Sequence, residues 1–508
     1  MQASRNLSTS PGSCWRREPR ALPVCPPAAG ELETDVVILG AGITGLTAGL
    51  HLLERGRRVM LLEAHQVGGG ATGGSTGHLT ALLDTGLGRL IEDWGQHEAG
   101  LMVGANLTAI SQIEQWSARF SPDCQLQRVE GILYTENAAG AGDLGREADA
   151  ARLLGLGAEA LDRVPLPFPC HAGYRIAGQA RFDPLRYVLG LARRFLEAGG
   201  VIHEQSPAKP PQDGGGAQIE TPAARIQAGD VIVATHLPYV GALTLETRNY
   251  PQQSYVLLVR LTSPLHDALF WDDAEPYHYI RRYGGDDPHL VLIGGADHRT
   301  GLPINELDHL AQLEQYARAR FAVEAVEGRW SDEFVEPADG APFAGRLVGA
   351  DHIWIATGYA GNGLTWGTAC GLLLADLLTN EPNPLAGLLD PRRVKGLAAL
   401  DRFVPENLRT ALEYARIPFE GERVDSLAEV GPGEGRLVRY QGRKLAVWRD
   451  PGGELTILSP VCRHLGCIVK WNEAAATWDC PCHGGRYTAT GERLGGPPPD
   501  DLEPAALE

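Results

Sequence analysis

Short apolar runs without polar alternation recur along most of this chain, each closed by glycine or by a polar cluster. They are residues 35–39 (DVVIL), 58–62 (RVMLL), 230–234 (DVIVA), 290–293 (LVLI) and 352–356 (HIWIA). Runs of this kind suit strands buried on both faces, as in a parallel sheet covered by helices. Helical periodicity falls between them, over 46–54, 92–120, 184–198 and 306–322. Residues 401–425 read as a charged helical linker. Beyond it, short strand-like segments (436–440, 445–449, 454–458) alternate with Gly and Pro turns, which predicts a small all-β unit. The expected fold class is therefore α/β followed by β, with no repeat of fixed period.

The turn between the first two runs is glycine-rich, Gly40-Ala-Gly-Ile-Thr-Gly45. Gly40 permits a tight turn, Gly42 lets the backbone approach a pyrophosphate, and Gly45 allows close helix–strand packing. Ile43 and Thr44 open the helix, whose free N–H groups favour phosphate. Glu63 follows Gly45 by 18 residues and ends the second strand, where a carboxylate accepts hydrogen bonds from adenosine ribose hydroxyls. Strand, turn, helix and acid together predict a dinucleotide site rather than a merely tight βα turn. A reductase using both pyridine nucleotide and flavin carries two such fingerprints. Gly294-Gly295 and Gly358 do not form a second, so FAD alone fits.

Residues 35–63 resemble the opening of the D-amino-acid oxidase/glycine oxidase superfamily of FAD-dependent oxidoreductases. Residues 178–184 (GQARFDP), 231–235 (VIVAT) and 330–342 agree with that likeness, as does 355–365 (IATGYAGNGLT). The resemblance implies a Rossmann-like FAD-binding domain interleaved with an α+β substrate domain. It also implies that Gly358, Gly361, Gly363, Leu364 and Thr365 face the flavin, the last four through N–H groups at a helix start that favour the anionic character of reduced flavin. A second glycine-rich loop, 68–78 (GGGATGGSTGH), would run along the pyrophosphate and flavin. His78 falls near a histidine that some dehydrogenases of dimethylglycine or sarcosine type bond covalently to flavin. The glycine spacing differs here, so a locally hydrogen-bonded His78 is the expectation. Arg281 and Tyr279, on a segment where the superfamily places substrate-facing strands, are the candidate substrate-binding residues, with arginine as a carboxylate clamp.

Four of the nine cysteines lie within 21 residues. Cys462-Arg-His464 and Cys480-Pro-Cys-His483 are separated by fifteen residues. Two thiolates and two imidazoles can hold the two irons of a [2Fe-2S] centre; the same set also suits tetrahedral zinc. Residues 462–467 (CRHLGC) and 480–484 (CPCHG) resemble both cluster loops of the Rieske proteins of cytochrome bc complexes, which favours iron. The resemblance makes Cys462, His464, Cys480 and His483 the ligands and pairs Cys467 with Cys482 in a bracing disulfide. Disulfides are unusual in a cytosolic protein, though burial beside a cluster would protect this one. The family's loop carries a serine and, two residues on, a tyrosine, both hydrogen-bonding near the sulfurs. Here Gly485 replaces the serine and Tyr487 is kept, so the expected potential lies below the high-potential members of a family spanning about −150 to +300 mV.

Composition narrows the function. The chain has 508 residues, 63 of them glycine, and a net charge of −18, which argues against a nucleic-acid partner. Charge is +3 over residues 1–30, −2 over 426–508 and −19 between. No apolar core follows the basic N-terminal residues, and the two long uncharged runs are broken by the glycine turns described above. A cytoplasmic protein without a membrane span is expected. The expected organisation is a flexible arm (1–30), an FAD-dependent oxidoreductase module (31–400), the linker (401–425) and a Rieske domain (426–508). Within the module, FAD-binding parts are expected near 31–90, 175–240 and 330–400, with substrate-domain parts near 91–174 and 241–329. An oxygenase needs a mononuclear iron held by two histidines and a carboxylate, and the closest histidines, His289 and His298, are too far apart. The expected function is oxidation of an amine or amino-acid-like small molecule, with electrons leaving one at a time through the cluster to an external acceptor. The rival is a redox carrier or sensor, acting as electron donor or acceptor, without an organic substrate of its own.

Overall fold

The computed structural model describes residues 12–17, 22–241, 245, 247–285, 287–301, 306–393 and 421–506. Four of the five apolar runs become the centre of a sheet ordered Phe343–Arg346, Ile353–Thr357, Ala224–Val233, Gly30–Leu39, Val59–Leu62 and Val201–His203, whereas 290–293 lies between antiparallel neighbours in a second sheet. The last five strands of that order are mutually parallel, as expected of strands connected by crossovers and covered on both sides. Helices Ile43–Glu54, Gln96–Phe120, Pro184–Glu197 and Gly363–Leu378 share one apolar core on one face of this sheet. Asp183 caps the third helix by accepting from the N–H groups of Leu185 and Arg186 at 2.9 and 3.0 Å.

A second, nine-stranded sheet contains the long strands Gln127–Thr135, Ala172–Arg181, Asn249–Leu261, Leu290–Arg299 and Val323–Pro337. Three sequence expectations shift here. Strands Ala172–Arg181 and Val323–Pro337 run in this sheet, across the boundaries drawn at 175 and 330. The helical pattern over 92–120 is two helices, Leu87–Trp94 and Gln96–Phe120, broken at Gly95 with φ of 87°. The second of these packs on the nucleotide-binding core rather than with the substrate domain. Its apolar face decides the matter, since Met102, Ile110 and Ile113 are fully buried there.

The N-terminal arm is not loose where it is described. Cys14 and Trp15 are buried, Trp15 Nε1 donates to the Ser75 carbonyl at 2.7 Å, and the Trp15 ring stacks on Tyr283 at 4.8 Å. Apolar burial and hydrogen bonds to the glycine-rich loop hold it down. The expected linker helix lies outside the described residues as far as 420, and Glu422–Arg423 is a strand. The C-terminal unit is all-β, two four-stranded sheets whose core gathers Trp478, Tyr487 and the four clustered cysteines. Among the described residues, no helix is long and apolar enough to cross a membrane.

Candidate functional site

The first glycine turn has the shape its sequence demands. Gly40 adopts φ of 103°, and a Cβ there would meet the Ala234 carbonyl at 2.5 Å. A Cβ on Gly45 would collide with the Gly40 carbonyl, so the helix can start this close to the strand only without one. Ile43 N–H donates to Thr72 Oγ1 at 3.1 Å, and Thr44 Oγ1 pairs with the Tyr359 hydroxyl at 3.1 Å. Glu63 accepts from the N–H groups of Ala41 and His65, both at 2.9 Å. Burial raises its pKa against those two bonds. This cradle of bare backbone beside a half-buried carboxylate fits a dinucleotide.

At the other end, Gly358 (φ 79°) leads into the helix Gly363–Leu378. Asn362 ties that helix start to residues 82–84: its Oδ1 accepts from Asp84 N–H at 3.0 Å and its Nδ2 donates to the Leu82 carbonyl at 2.9 Å. Leu364 and Thr365 are buried, and Gly361 N–H donates to Asp84 Oδ2 at 2.5 Å. His78 Nδ1 pairs locally with Thr76 Oγ1 at 3.0 Å. Its ring lies 5.5 Å from both Trp271 and Tyr279, and its Nε2 is buried without a protein partner. Burial and the nearby Arg281 push His78 well below its usual pKa, so the ring is neutral.

Arg281 and Tyr279 part company. Arg281 is fully buried, and its guanidinium donates to the carbonyls of Thr76, Phe182, Arg282 and Tyr283 at 2.6–3.1 Å. It also lies over the Trp15 ring, and burial lowers its pKa to about 9. Converging carbonyls occupy four of its five N–H donors, which leaves no pair for a bidentate substrate carboxylate, so the clamp assignment is corrected to a brace beneath the glycine-rich loop 68–78. Tyr279 instead pairs with Ser254 Oγ at 2.9 Å. Beside it stand Tyr277, whose hydroxyl donates to Asp84 Oδ2 at 3.3 Å, and Asp297. Sequence reasoning missed Asp84, Ser254, Tyr277 and Asp297, which come from separate parts of the chain.

The cluster loops converge from two hairpins. Cys462 and Cys480 are buried with their sulfurs in hydrogen-bonding reach of each other. The His464 and His483 rings meet edge to face at 5.1 Å. Cys467 and Cys482 form a disulfide, with Cα atoms 6.5 Å apart. Burial and the neighbouring His464 hold His483 down to about 3, the neutral form a metal ligand requires. Tyr487 Oη lies 3.3 Å from Cys462 Sγ and accepts from Arg463 N–H at 3.2 Å. A Cβ on Gly485 would meet Pro498 Cγ at 2.6 Å and Cys462 Sγ at 3.3 Å. Two buried thiols, two facing imidazoles and a disulfide brace fit a [2Fe-2S] cluster and exceed what a zinc site needs.

One cluster loop is pressed against the oxidoreductase module. Arg299 Nη2 donates to the Cys482 carbonyl at 3.3 Å. Gly301 (φ 74°) lies so close that a Cβ would meet Pro481 N at 2.5 Å, and one on Gly484 would meet Pro251 at 2.7 Å and Glu333 at 2.9 Å. Arg486 stands between Asp479 of its own domain at 3.3 Å and Asp332 of the module at 3.9 Å. Those carboxylates and Glu333 raise its pKa against the cost of burial. Burial pushes Glu333 up to about 8 despite Arg486. The other loop turns outward, with Val461 and Leu465 exposed.

A nucleotide cradle and a two-thiol, two-imidazole pocket packed on the same module define a flavin-dependent oxidoreductase that carries its own iron–sulfur domain. The chain belongs to the FAD dependent oxidoreductase (DAO) family, whose pattern matches residues 35–377, and ends in a Rieske [2Fe-2S] domain over 422–505. It binds FAD and a [2Fe-2S] cluster. It is 30% identical over 491 residues to a Bacillus subtilis protein named for a Rieske 2Fe-2S iron-sulfur function, YhfW, covering 96% of both chains. Over 373 residues it is 26% identical to the gamma-glutamylputrescine oxidoreductase of Escherichia coli, covering 69% of this chain and 84% of that one. The crystal structure of glycine oxidase from Geobacillus kaustophilus superposes with a TM-score of 0.61 at 21% identity, over 72% of this chain and all of that one. That likeness is one of fold.

Proposed function

We propose that this oxidoreductase dehydrogenates an amine or amino-acid-like substrate at a C–N bond and delivers the electrons singly, through its Rieske cluster, to an external acceptor. When bound, FAD supplies a two-electron acceptor and the cluster a one-electron carrier. Gly40, Gly42, Ile43, Thr44, Gly45 and Glu63 hold the dinucleotide; His78, Gly358, Gly361, Gly363, Leu364 and Thr365 line the flavin end. Cys462, His464, Cys480 and His483 hold the cluster. Tyr279 and Ser254 orient the substrate, and neutral His78 adds no positive charge beside it. The observation that carries this reading is the shared wall: Asp332 touches Gly74 of the flavin loop and also faces Arg486 of the cluster domain. Tethering at that distance removes the diffusional search between donor and carrier. Relatives that act on amines, such as the Escherichia coli oxidoreductase above, support the substrate class. The test is anaerobic mixing of the purified protein with a panel of amines and amino acids. Flavin bleaching followed by a reduced-Rieske EPR signal is expected. Bleaching with a cluster that stays oxidised would overturn the electron route.

A further inference from the structure

The space in front of Gly361 is walled by residues from four places in the chain. Asp84 follows the flavin loop, Ser254 lies on strand Asn249–Leu261, Tyr279 on Tyr279–Arg282, and Asp297 on Leu290–Arg299. Tyr277 precedes the third of these. They form one connected set: Gly361 N–H and Tyr277 Oη donate to Asp84, Tyr279 pairs with Ser254, and Ser254 hydrogen-bonds Asp297. The Tyr277 and Tyr279 rings stand 6.0 Å apart, inclined at 50°. Asp84 and Gly361 are exposed, so both border the open side of this set.

Two features of this cleft point to its ligand. Asp297 is half-buried, and its Oδ1 is buried without a hydrogen-bond partner. Leaving a carboxylate oxygen unpaired is costly, so an arriving donor gains by satisfying it. The charges acting most strongly on Asp297 are the carboxylates of Asp84, Glu336 and Glu275, and those acting on Tyr277 and Tyr279 are again carboxylates. The nearby basic group, Arg281, already gives four of its five N–H donors to backbone carbonyls. A free carboxylate on the substrate would enter this field against repulsion. An ammonium group would find a charged acceptor and two aromatic faces.

We propose that this cleft takes a cationic substrate, a diamine or polyamine, with Asp297 and Asp84 holding an ammonium group away from the C–N bond that reacts. This rests on the reading of the protein as an amine-oxidising flavoenzyme and names its substrate class. The second ammonium is the discriminating feature: a simple amino acid offers a carboxylate where the diamine offers a charge the cleft can accept.

The test uses the full-length holoprotein under anaerobic conditions, with 1,4-diaminobutane and spermidine against glycine, proline and 4-aminobutyrate. Flavin bleaching is followed optically, and binding to the dithionite-reduced protein by calorimetry. The expected result is bleaching by the diamines, with dissociation constants at least tenfold lower than those of the carboxylate compounds. Asp297→Asn should weaken diamine binding by about tenfold to a hundredfold, the loss of one charge-assisted hydrogen bond, at unchanged FAD content. Bleaching by amino acids but not by diamines would overturn the cationic cleft and leave the amine-oxidase reading standing. Bleaching by none, while dithionite reduces both cofactors, would overturn both. The wild-type panel decides the matter even if the variant fails to fold.

Discussion

Two regions of this molecule are crowded with acids, and they are built on opposite principles. In the seam between the module and the Rieske domain, Asp332, Glu333 and Asp479 surround one arginine, Arg486. In the cleft before Gly361, Asp84 and Asp297 face tyrosines and other carboxylates. Burial disfavours ionised carboxylates, and in the seam Arg486 offsets part of that penalty, though Glu333 stays raised to about 8. In the cleft it is left for something from outside. A cation built in among acids marks architecture, and acids gathered without one mark a place where a cationic ligand is expected.

The largest effect should come from breaking the compensation. Arg486→Met leaves three carboxylates without their cation and should destabilise the protein by about 3–5 kcal/mol, read by denaturant titration. No loss would mean the seam is open to water. Gly301→Ala probes the same seam without touching charge. Its new Cβ meets Cys480–Pro481 and its positive φ is strained. The two domains should be pushed apart and flavin-to-cluster transfer slowed on the order of tenfold, followed by rapid-mixing optical and EPR measurements.

The cleft should respond in the opposite direction. Burial, with Asp84, Glu336 and Glu275 beyond Ser254, raises Asp297 to about 7, and burial raises Asp84 to about 6. The cost of ionising Asp297 is absent below its unfolded pKa of about 4 and grows until pH exceeds about 7. Asp297→Asn should therefore stabilise the ligand-free protein at pH 8 by at least about 1 kcal/mol and leave it unchanged at pH 4. For the same reason the KM of a cationic substrate should fall as pH rises through 6 to 7. A flat KM would separate Asp297 from binding. The smallest effect belongs to Gly485→Ser. A hydroxyl near Cys462 Sγ should raise the cluster potential by about 40 mV, one modest hydrogen bond in a one-electron couple. The crowding by Pro498 sets how much of that is realised.

The two regions also differ from the cofactor loops in how much of them could be read beforehand. The glycine turn and the paired cluster loops are local: a few consecutive residues set their geometry, so spacing alone reveals them. The parallel strands were legible for a similar reason, their apolar runs being continuous. The cleft and the seam are made by strands far apart in sequence, and an isolated Asp297 or Arg486 looks like any polar residue on a strand. Arg281 was misread for the same cause. Its orientation depends on Trp15, hundreds of residues earlier, and on carbonyls from two other segments. The helix break at Gly95 was missed because the apolar period runs through it.

Asp332 gives the fusion a consequence for its inheritance. Its carboxylate fills the space a side chain at Gly74 would need, and its other face looks to Arg486. A cluster domain grafted from elsewhere without that arginine would strand the aspartate against the flavin loop. A module with any larger residue at position 74 would expel it. Neither half can be traded alone, so lineages carrying this trio should keep or lose both domains together.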